Sequence, residues 1–360
     1  MKVVHLLPAL EQGGVESVVC DLVKALGGGL PCRSGEVEKW ESVVVSKGGR
    51  MVGRIEAAGG RHIALDLKSK NPLTYFWRVW KLHRILRRER PDLVCAHSRV
   101  PAWIHVGVRN LDSIIRLFDN SIISPPWITY AHGANSVSRY SEVMTKGDLV
   151  ITPSRFLADY LKANYRIDDA KIRVIPNAVD TQRFDPANLD QAFIEEKRRE
   201  WGIREGDYVT MAIGRITPVK GLEGLIREFK GGKLIIVGGA DRHHLKYLES
   251  LKALAKDVRP ETGAVIFAGG QEKIPECISI ADEIVSANTT KPETFGLSVI
   301  EAYAMNKPVR AKRFGGVAEV MDAVEGAGKA SLRESVLSLY APALQAERTI
   351  SAYREVLDMV

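Results

Sequence analysis

The sequence predicts an α/β protein with two doubly wound parallel sheets, and two observations lead to that prediction. Short β-branched and apolar runs alternate along the chain with segments of helical periodicity, the pattern of parallel strands joined by covering helices. The chain also has 360 residues, which is too long for one ordinary core and fits two domains of about 150–200 residues.

Twelve strands are predicted, in two series separated by a polar segment at 177–190. The first series is 3–7, 42–46, 62–66, 93–97, 127–132, 149–154 and 172–177; the second is 208–215, 233–239, 264–270, 283–288 and 308–312. We expect an N-terminal domain over 1–181, a C-terminal domain over 182–332, and a terminal helix within 333–360 that packs back toward the first domain. The segment 27–36 is expected to be a loop.

Several protein classes are disfavoured by composition. No run approaches the ~18 consecutive apolar residues of a transmembrane helix. The first twelve residues do not resemble a secretory signal, because their apolar run is short and contains His5 and Pro8. The cysteines are scattered without a C-x-x-C pair, at Cys20, Cys32, Cys95 and Cys277. Free thiols and a cytoplasmic location are therefore expected.

Positive charge is concentrated in the first half of the chain. Residues 1–181 hold 26 lysines and arginines against 18 acidic residues, a net charge of +8, whereas residues 182–360 hold 25 against 26. This asymmetry indicates an anionic surface or ligand facing the N-terminal half, or simply a basic solvated surface.

Open parallel sheets bind ligands at the carboxyl ends of their strands, so the residues that follow each strand are the candidates. Gly13 and Gly14 follow the first strand and precede a helix. They either let the backbone approach a bound ligand closely or form a turn without a ligand. His132 ends the fifth strand, as a site residue or a structural one. A G-x-G-x-x-G fingerprint is absent, and no acid ends the strand at 42–46, which disfavours an NAD enzyme.

Two cations follow the first strand of the second series. Arg215 ends the strand, and Lys220 comes five residues later, just before a predicted helix. A planar guanidinium and a compact ammonium at a helix N-terminus suit a diphosphate, although two solvated basic residues would give the same pattern.

The stretch "KPETFGLSVIEAY" at 291–303 places one acid before a predicted helix and one within it. The helix is expected to start near Phe295, with Glu293 in the preceding loop and Glu301 about two turns in. Amide groups at 295–297 suit phosphates, and carboxylates accept hydrogen bonds from sugar hydroxyls. The arrangement suits a nucleoside diphosphate sugar. Alternatively, Glu293 only interacts favourably with the helix dipole, and Glu301 is a solvated helix residue.

Four motifs occur together in the order typical of one enzyme family: "IPNAVDTQRF", "GRITPVKGLEGLI", "PETFGLSVIEAYAMNKPV" and "FGGVAEV". Over about 1–325 the sequence resembles the retaining glycosyltransferases of family 4, which have the GT-B fold. The resemblance implies two Rossmann-like domains facing a cleft, with the nucleotide sugar mainly on the C-terminal domain and the acceptor on the N-terminal one.

The resemblance also implies roles for individual residues. The catalytic set is His132, Glu293, Arg215 and Lys220, with Arg215 and Lys220 holding the diphosphate and Glu293 the donor-sugar hydroxyls. The remaining donor contacts are Glu301 at the ribose, the Phe295, Gly296 and Leu297 amides, and Gly14 in a loop that closes over the phosphates. A UDP-, GDP- or ADP-linked sugar is expected as donor substrate, with no further cofactor, no metal and no nucleic acid partner.

A narrower resemblance, to glycosyltransferases that build lipopolysaccharide cores, comes from "HLLPALEQGGVE", "SRVPAWI" and "HGANSVSRYSEVMTKGD". Acceptor contacts are expected at Gly13, Glu16, Ser98 and Arg99. The chain departs from the family pattern at "VRAK" (309–312), where small apolar residues are usual, and at "MDAVEGAGKASLRES" (321–335), where a Gly-rich turn and a strand are usual.

The expected function is transfer of a sugar from a nucleoside diphosphate donor to a glycolipid or saccharide hydroxyl, at the inner face of the membrane. One alternative is a sugar-nucleotide epimerase of the same fold, which would give product without acceptor. Another is a non-catalytic sugar-nucleotide binding subunit, which would bind donor without turnover.

A basic aromatic segment at 73–90 is the candidate for the membrane contact. Helical spacing predicts a stripe along one side, made of Phe76, Val79, Trp80, His83 and Leu86 or Arg87, with Arg78 among the basic residues on other faces. Trp77 and the basic face would then meet anionic lipid, or the segment is an ordinary sheet-covering helix.

Overall fold

The chain divides into two units. The computed structural model describes residues 1–11, 13–31, 37–118, 124–258, 263–288 and 291–359. One unit is Met1–Ala178 with Pro342–Val360, and the other is Val179–Ala341. The first division thus falls three residues before the expected 181/182 boundary. The second unit extends nine residues beyond the expected end at 332, because a helix at Leu332–Tyr340 belongs to it.

Each unit contains one parallel sheet. The strands of the first unit are β1 (Lys2–Leu6), β2 (Leu30–Pro31), β3 (Val37–Glu38), β4 (Glu41–Ser46), β5 (Arg61–Ala64), β6 (Leu93–Ala96), β7 (Trp127–Tyr130), β8 (Leu149–Thr152) and β9 (Ile172–Val174). Those of the second are β10 (Val209–Ile213), β11 (Gly232–Val237), β12 (Gly263–Gly269), β13 (Glu283–Ser286) and β14 (Val309–Ala311). The orders are β5-β4-β1-β6-β7-β8-β9 and β12-β11-β10-β13-β14, all parallel. The predicted α/β class with two doubly wound sheets is confirmed.

Helices connect and cover the strands. They are α1 (Gly14–Gly28), α2 (Val52–Ala57), α3 (Tyr75–Glu89), α4 (Arg99–Ile115), α5 (Arg155–Asn164), α6 (Gln191–Glu200), α7 (Leu222–Glu228), α8 (Leu245–Asp257), α9 (Ile274–Ile280), α10 (Leu297–Ala304), α11 (Gly316–Gly326), α12 (Leu332–Tyr340) and α13 (Pro342–Leu357). Within the described ranges, none of them combines the length and the apolar character that crossing a bilayer requires.

The last helix, α13, packs into the first unit through a buried polar seam. The Cys95 thiol donates to the Tyr353 hydroxyl over 3.3 Å, and the hydroxyls of Tyr130 and Thr349 lie 3.2 Å apart. Burial raises the pKa of the Cys95 thiol to about 12, so this group stays protonated and serves as a donor. Because of these two pairs, neither Tyr353 of α13 nor Tyr130 of β7 buries an unsatisfied hydroxyl.

The segment 27–36 is not simply a loop, contrary to the prediction. Its first two residues end α1, and Leu30–Pro31 forms the two-residue strand β2, which pairs antiparallel with β3. The remaining residues, 32–36, lie outside the described ranges, and with them Cys32. The other three cysteines are buried free thiols. Two-residue ladders have no periodicity of their own, so the sequence pattern could not indicate this pair.

The expected faces of the 73–90 helix are partly wrong. Val79, His83 and Leu86 are buried as predicted, but Phe76 is 79% and Trp80 46% exposed. Arg78, expected on a solvated face, is buried and donates to three backbone carbonyls, those of Ser69, Asn71 and Thr74. These carbonyls belong to the turn just before α3, so the buried guanidinium of Arg78 closes that turn.

Candidate functional site

The second unit has a pocket at its topological switch point. The strand order reverses between β10 and β13, so the loops after these two strands part and leave a crevice at the carboxyl edge. The crevice is open to solvent, and about 330 Å³ of space in and around it is free of protein atoms. Its polar lining comes from the β10 loop, the end of β13, the loop before α10 and the first turn of α10: Arg215, Lys220, Ser286, Glu293 and Ser298.

Within this pocket Lys220 and Glu293 form an ion pair, although they lie 73 residues apart in sequence. The Lys220 ammonium donates to Glu293 Oε1, and the two side chains are 35% and 17% exposed. Arg215 is exposed, and within the described ranges its guanidinium has no ion-pair or hydrogen-bond partner. The pocket therefore holds one neutralised cation and one whose charge no neighbouring acid offsets.

Glycines allow the loops to approach each other around this pocket. Gly221 has φ +67°, and a Cβ there would lie 2.0 Å from the Ala287 carbonyl oxygen at the end of β13. Gly238, after β11, has φ +155°, and its Cβ would lie 1.8 Å from the Gly214 carbonyl oxygen. Because both clashes are with backbone, no side-chain movement could relieve them. Gly221 also precedes α7, so its close approach to the Ala287 carbonyl places the turn that contains Lys220 next to the end of β13.

Helix α10 begins at Leu297, two residues later than predicted. Gly296 precedes it with φ +99° and accepts from the amides of Val299 and Ile300, so the first helical amides are those of Leu297 and Ser298. Phe295 lies before the helix with its side chain buried edge-on against Tyr340, at 5.8 Å between ring centroids. The apolar residues before Leu297 fit the helical pattern, so the sequence did not indicate that the helix begins only after Gly296, whose backbone is left-handed.

The second acid of the stretch, Glu301, is the fifth residue of α10 and is half-buried. It therefore lies just over one turn into the helix instead of two. The residues lining the pocket include Glu293 and Ser298 but not Glu301. Of the predicted donor residues in this unit, the structure thus brings together Arg215, Lys220 and Glu293, beside the first turn of α10.

In the first unit, the predicted acceptor residues lie at two helix N-termini that follow sheet strands. Gly13 precedes α1, and the Glu16 carboxylate folds toward it, 2.5 Å from where a Cβ on Gly13 would be. Ser98 precedes α4 with extended backbone, and Arg99 donates to the Ser141 hydroxyl over 3.2 Å. Both helices start at the switch point of this sheet, beyond β1 and β6. Gln12, next to Gly13, is outside the described ranges.

His132 follows β7 and is the outermost of three histidines joined ring to ring. His97 Nδ1 lies 3.0 Å from His132 Nε2, and His97 Nε2 lies 3.0 Å from His5 Nδ1. His5 is inside β1, His97 directly follows β6, and these strands are neighbours of β7 in the order β1-β6-β7. His5 and His97 were not predicted as candidate site residues. His97 could have been found by the signal that indicated His132, a histidine at the carboxyl end of a buried strand.

The three imidazoles are neutral at physiological pH because burial penalises the charged form. Burial lowers the pKa of His5 to about 3 and that of His132 to about 4. For His97, burial and then the two neighbouring histidines hold the pKa well below the usual value. Each ring therefore carries a single N–H.

Comparisons with known proteins agree with this architecture. Residues 12–183 match the sequence model of Glycosyltransferase Family 4, and residues 193–328 match that of Glycosyl transferases group 1. Among curated relatives, a D-inositol 3-phosphate glycosyltransferase from Mycobacteroides abscessus is 31% identical over 181 residues, 49% of this chain and 39% of that protein. The lipopolysaccharide 1,2-N-acetylglucosaminetransferase of Salmonella typhimurium is 25% identical over 269 residues, 71% of this chain and 64% of that protein.

These matches span less than two thirds of either relative's own length. Among solved structures, Anabaena HepE in complex with UDP and glucose superposes with a TM-score of 0.76 at 17% identity, covering 98% of this chain and 99% of that one. At this identity the likeness concerns the fold. The two family models together cover most of the chain: the first lies mainly in the first unit and the second lies within the second unit. The chain therefore belongs to glycosyltransferase family 4 and has the GT-B fold.

Proposed function

We propose that the protein transfers a sugar from a nucleoside diphosphate sugar to a hydroxyl of a glycolipid or lipopolysaccharide-type acceptor, with retention of configuration. The observation that carries this proposal is the pocket at the β10/β13 switch point, where Arg215, Lys220 and Glu293 meet beside the first turn of α10. Cations and helix amides bind a diphosphate, and a carboxylate binds sugar hydroxyls, so one pocket holds groups for both parts of a donor.

The Lys220–Glu293 ion pair gives the pocket a specific binding chemistry. A diphosphate competes with Glu293 for the Lys220 ammonium, and when it wins, the Glu293 carboxylate becomes available to the hydroxyls of the donor sugar. Negative charge grows on the diphosphate as the glycosidic bond breaks, and Arg215 and Lys220 stabilise that charge most in the transition state. The leaving phosphate then takes the proton of the attacking acceptor hydroxyl on the same face.

The proteins that this chain resembles support a nucleotide-sugar donor and a lipopolysaccharide-type acceptor. The Anabaena protein of like fold is in complex with UDP and glucose, and the Salmonella relative is named for transfer to lipopolysaccharide. The Mycobacteroides relative is named for an inositol phosphate acceptor, which supports sugar transfer but a different acceptor class. We assign the donor to the second unit and the acceptor to the N-termini of α1 and α4 in the first.

A two-step experiment tests the function. A thermal-shift screen with UDP, GDP, ADP and their sugars identifies the donor, since a ligand that binds only the folded state raises the melting temperature. Product analysis with that donor, with and without lipopolysaccharide-core acceptors, follows. Transfer to acceptor supports the proposal, conversion of donor without acceptor identifies an epimerase, and binding without turnover identifies a non-catalytic subunit.

We expect turnover to be independent of divalent metal. The side-chain cations Arg215 and Lys220 and the amides of α10 supply the positive charge that a metal ion would otherwise bring to the diphosphate. Full activity is expected in excess EDTA, measured as product formation after dialysis against chelator. Loss of activity that Mg²⁺ or Mn²⁺ restores would contradict the prediction.

We also propose that α3 binds the acceptor's membrane. Its exposed face carries Phe76, Trp77 and Trp80, exposed by 79%, 51% and 46%, and Leu73 in the turn just before it is 88% exposed. Cations lie over two of these rings, with Lys81 Nζ 4.8 Å from the Trp77 centroid and Arg84 5.0 Å from that of Trp80. An aromatic face rimmed by cations suits the headgroup region of an anionic bilayer, where the rings enter the interface and the cations meet phosphates.

This face predicts salt-sensitive binding to anionic vesicles. Each basic residue near such a surface contributes roughly 1 kcal/mol, and this contribution disappears with screening. The protein is expected to co-sediment with vesicles rich in anionic lipid at low salt and to dissociate at about 0.5 M salt, where the Debye length is about 4 Å.

Charge reversal assigns the binding to α3. Arg84→Glu with Arg88→Glu should reduce sedimentation and leave nucleotide affinity unchanged. The matched control is Lys246→Glu with Lys252→Glu on α8, an equal change of charge in the other unit. Equal binding to neutral vesicles, or equal losses in both double variants, would contradict the membrane assignment.

A further inference from the structure

Two cations of the first unit converge on one aromatic ring. Lys70 Nζ lies 5.7 Å and the centre of the Arg99 guanidinium 5.2 Å from the centroid of the Tyr140 ring. Lys70 belongs to the segment after β5, Arg99 is the first residue of α4 after β6, and Tyr140 belongs to the segment after β7. Segments that follow parallel strands begin at the carboxyl edge of the sheet, where open sheets bind ligands. These three residues form a cationic cluster at that edge.

Neighbouring side chains hold the cationic cluster in place. The buried guanidinium of Arg78 donates to the carbonyls of the two residues that flank Lys70. Trp103 Nε1 donates to the Tyr140 carbonyl over 2.9 Å. The backbone that carries the lysine and the ring is therefore fixed. The Lys70 side chain itself is exposed, and its four-carbon stem lets the ammonium reach toward a ligand.

Arg99 is oriented by one hydrogen bond and keeps most of its donors. Its Nη1 donates to the hydroxyl of buried Ser141 over 3.2 Å, which uses one of the five N–H groups of a guanidinium. Arg99 comes two residues after His97, whose Nδ1 lies 3.0 Å from Nε2 of His132. A group bound by Arg99 would therefore lie close to the histidine at this edge of the sheet.

Among the residues that the structure describes, no acid pairs with Lys70 or Arg99. The amino edge of the same sheet shows the opposite arrangement, in which converging cations meet carboxylates: Lys2, Arg61 and Arg88 pair with Glu41 and Glu89. Cations that converge without an acid repel each other, and the face of an aromatic ring offsets only part of that repulsion. An anionic ligand would remove the remainder.

We propose that the cationic cluster binds a phosphate group of the acceptor. This inference rests on the proposed function and narrows its acceptor to a phosphorylated saccharide. A phosphate monoester carries close to two negative charges at neutral pH, which matches two cations, whereas a carboxylate matches one. The planar guanidinium of Arg99 binds two phosphate oxygens, and the Lys70 ammonium binds as a point charge. The reacting hydroxyl then lies beside the phosphate, toward His132.

Binding of inorganic phosphate tests the cationic cluster without turnover, and broadening of the ³¹P NMR signal measures it. The pocket of the second unit also holds cations, so the measurement uses Arg215→Ala with Lys220→Ala, which removes them. We expect this variant to retain a phosphate site. Adding Lys70→Gln and Arg99→Gln should weaken the remaining affinity by about tenfold or more. Absent binding, or an affinity that these two changes leave unaltered, overturns the proposal.

Two further variants control this measurement. Lys146→Gln is the matched control, because Lys146 Nζ also lies 5.7 Å from an aromatic centroid, that of Trp103, but precedes β8 at the other edge of the sheet. Its phosphate affinity should equal that of the parent, and an equal loss in both variants overturns the proposal. Lys70→Gln alone changes an exposed side chain, so its melting curve should match the parent and its affinity should still fall.

Acceptor kinetics test whether the phosphate belongs to the acceptor. A lipopolysaccharide-core oligosaccharide is compared before and after enzymatic removal of its phosphates, with a free hexose phosphate as a third acceptor. We expect kcat/KM to be about tenfold or more higher with phosphate than without, and Lys70→Gln to bring this ratio close to one. Equal use of the hexose phosphate identifies a free sugar phosphate as the source and supports the proposal. A ratio near one in the unmodified protein, or preference for an acceptor with only a carboxylate, overturns it.

The two measurements separate this proposal from the proposed function. Phosphate binding that depends on Lys70 and Arg99, in a protein that transfers no sugar, keeps the anion site and rejects the glycosyltransferase proposal. Sugar transfer that is indifferent to acceptor phosphate keeps the glycosyltransferase proposal and rejects the anion site. If Lys70→Gln loses vesicle sedimentation as much as the charge reversal on α3 does, the phosphate is that of a lipid headgroup, which overturns the acceptor assignment.

Discussion

Replacing Arg215 or Lys220 by alanine should lower turnover by about 10²–10³-fold while acceptor affinity changes little. Both cations line the switch-point pocket, and the charge that they meet on the diphosphate increases as the bond to the sugar breaks. The loss should therefore persist at saturating donor, and steady-state kinetics with varied donor and acceptor will measure it. Lys220→Ala also leaves the partly buried Glu293 without its partner, so this variant should weaken donor binding further.

The control for these variants is Lys252→Ala on α8, which removes the same charge from an ion pair on the surface. It should leave kcat and both KM values within about twofold, as expected for a surface pair. Near-unchanged turnover of Arg215→Ala or Lys220→Ala at saturating donor would remove these residues from the diphosphate site.

Replacing Glu301 by alanine should weaken nucleoside diphosphate binding by about 10–100-fold and leave the fold intact. The ribose hydroxyls would lose a charged acceptor, which contributes roughly 1.5–3 kcal/mol. Glu301 is half-buried on α10, so Glu301→Gln, which keeps the shape and one acceptor, should retain part of the affinity. Isothermal titration with the nucleoside diphosphate and a melting curve measure the two quantities separately.

Glu249→Ala on α8 is the matched control, because it removes an exposed helical carboxylate in the same unit. Its nucleotide affinity should equal that of the unmodified protein. If Glu301→Ala has unchanged affinity together with an unchanged melting curve, Glu301 does not bind the ribose.

Much of the fold could be predicted because its signals are local. Central parallel strands are buried on both faces and appear as short apolar runs, such as Leu149–Thr152, and this pattern needs no knowledge of neighbours. Except at 42–46, where the ends agree, the predicted strands exceeded the observed ones by one to three residues at their carboxyl ends, for example 208–215 against Val209–Ile213. In that strand the extra residues are Gly214 and Arg215, which lie in the loop that lines the crevice.

The candidate site could be predicted residue by residue but not as an arrangement. In the second unit the residues that follow strands were the candidates, and Arg215, Lys220 and Glu293 line one pocket. The sequence contained no information that Lys220 and Glu293 pair with each other, because that contact depends on β10 and β13 lying side by side. The order of strands in a sheet comes from long-range packing, and local periodicity does not encode it.

The amino-acid pattern was sufficient for the α/β class, the two sheets and the candidate cations, since strand and helix periodicity are properties of a few consecutive residues. Tertiary packing decided the rest. It buried Arg78 by giving its guanidinium three carbonyl acceptors, and it left Phe76 and Trp80 exposed on α3. It also placed His5, His97 and His132 in one row by setting β1, β6 and β7 side by side. A side chain's charge, exposure and hydrogen bonds depend on which distant residues surround it, and only the folded chain brings those residues together.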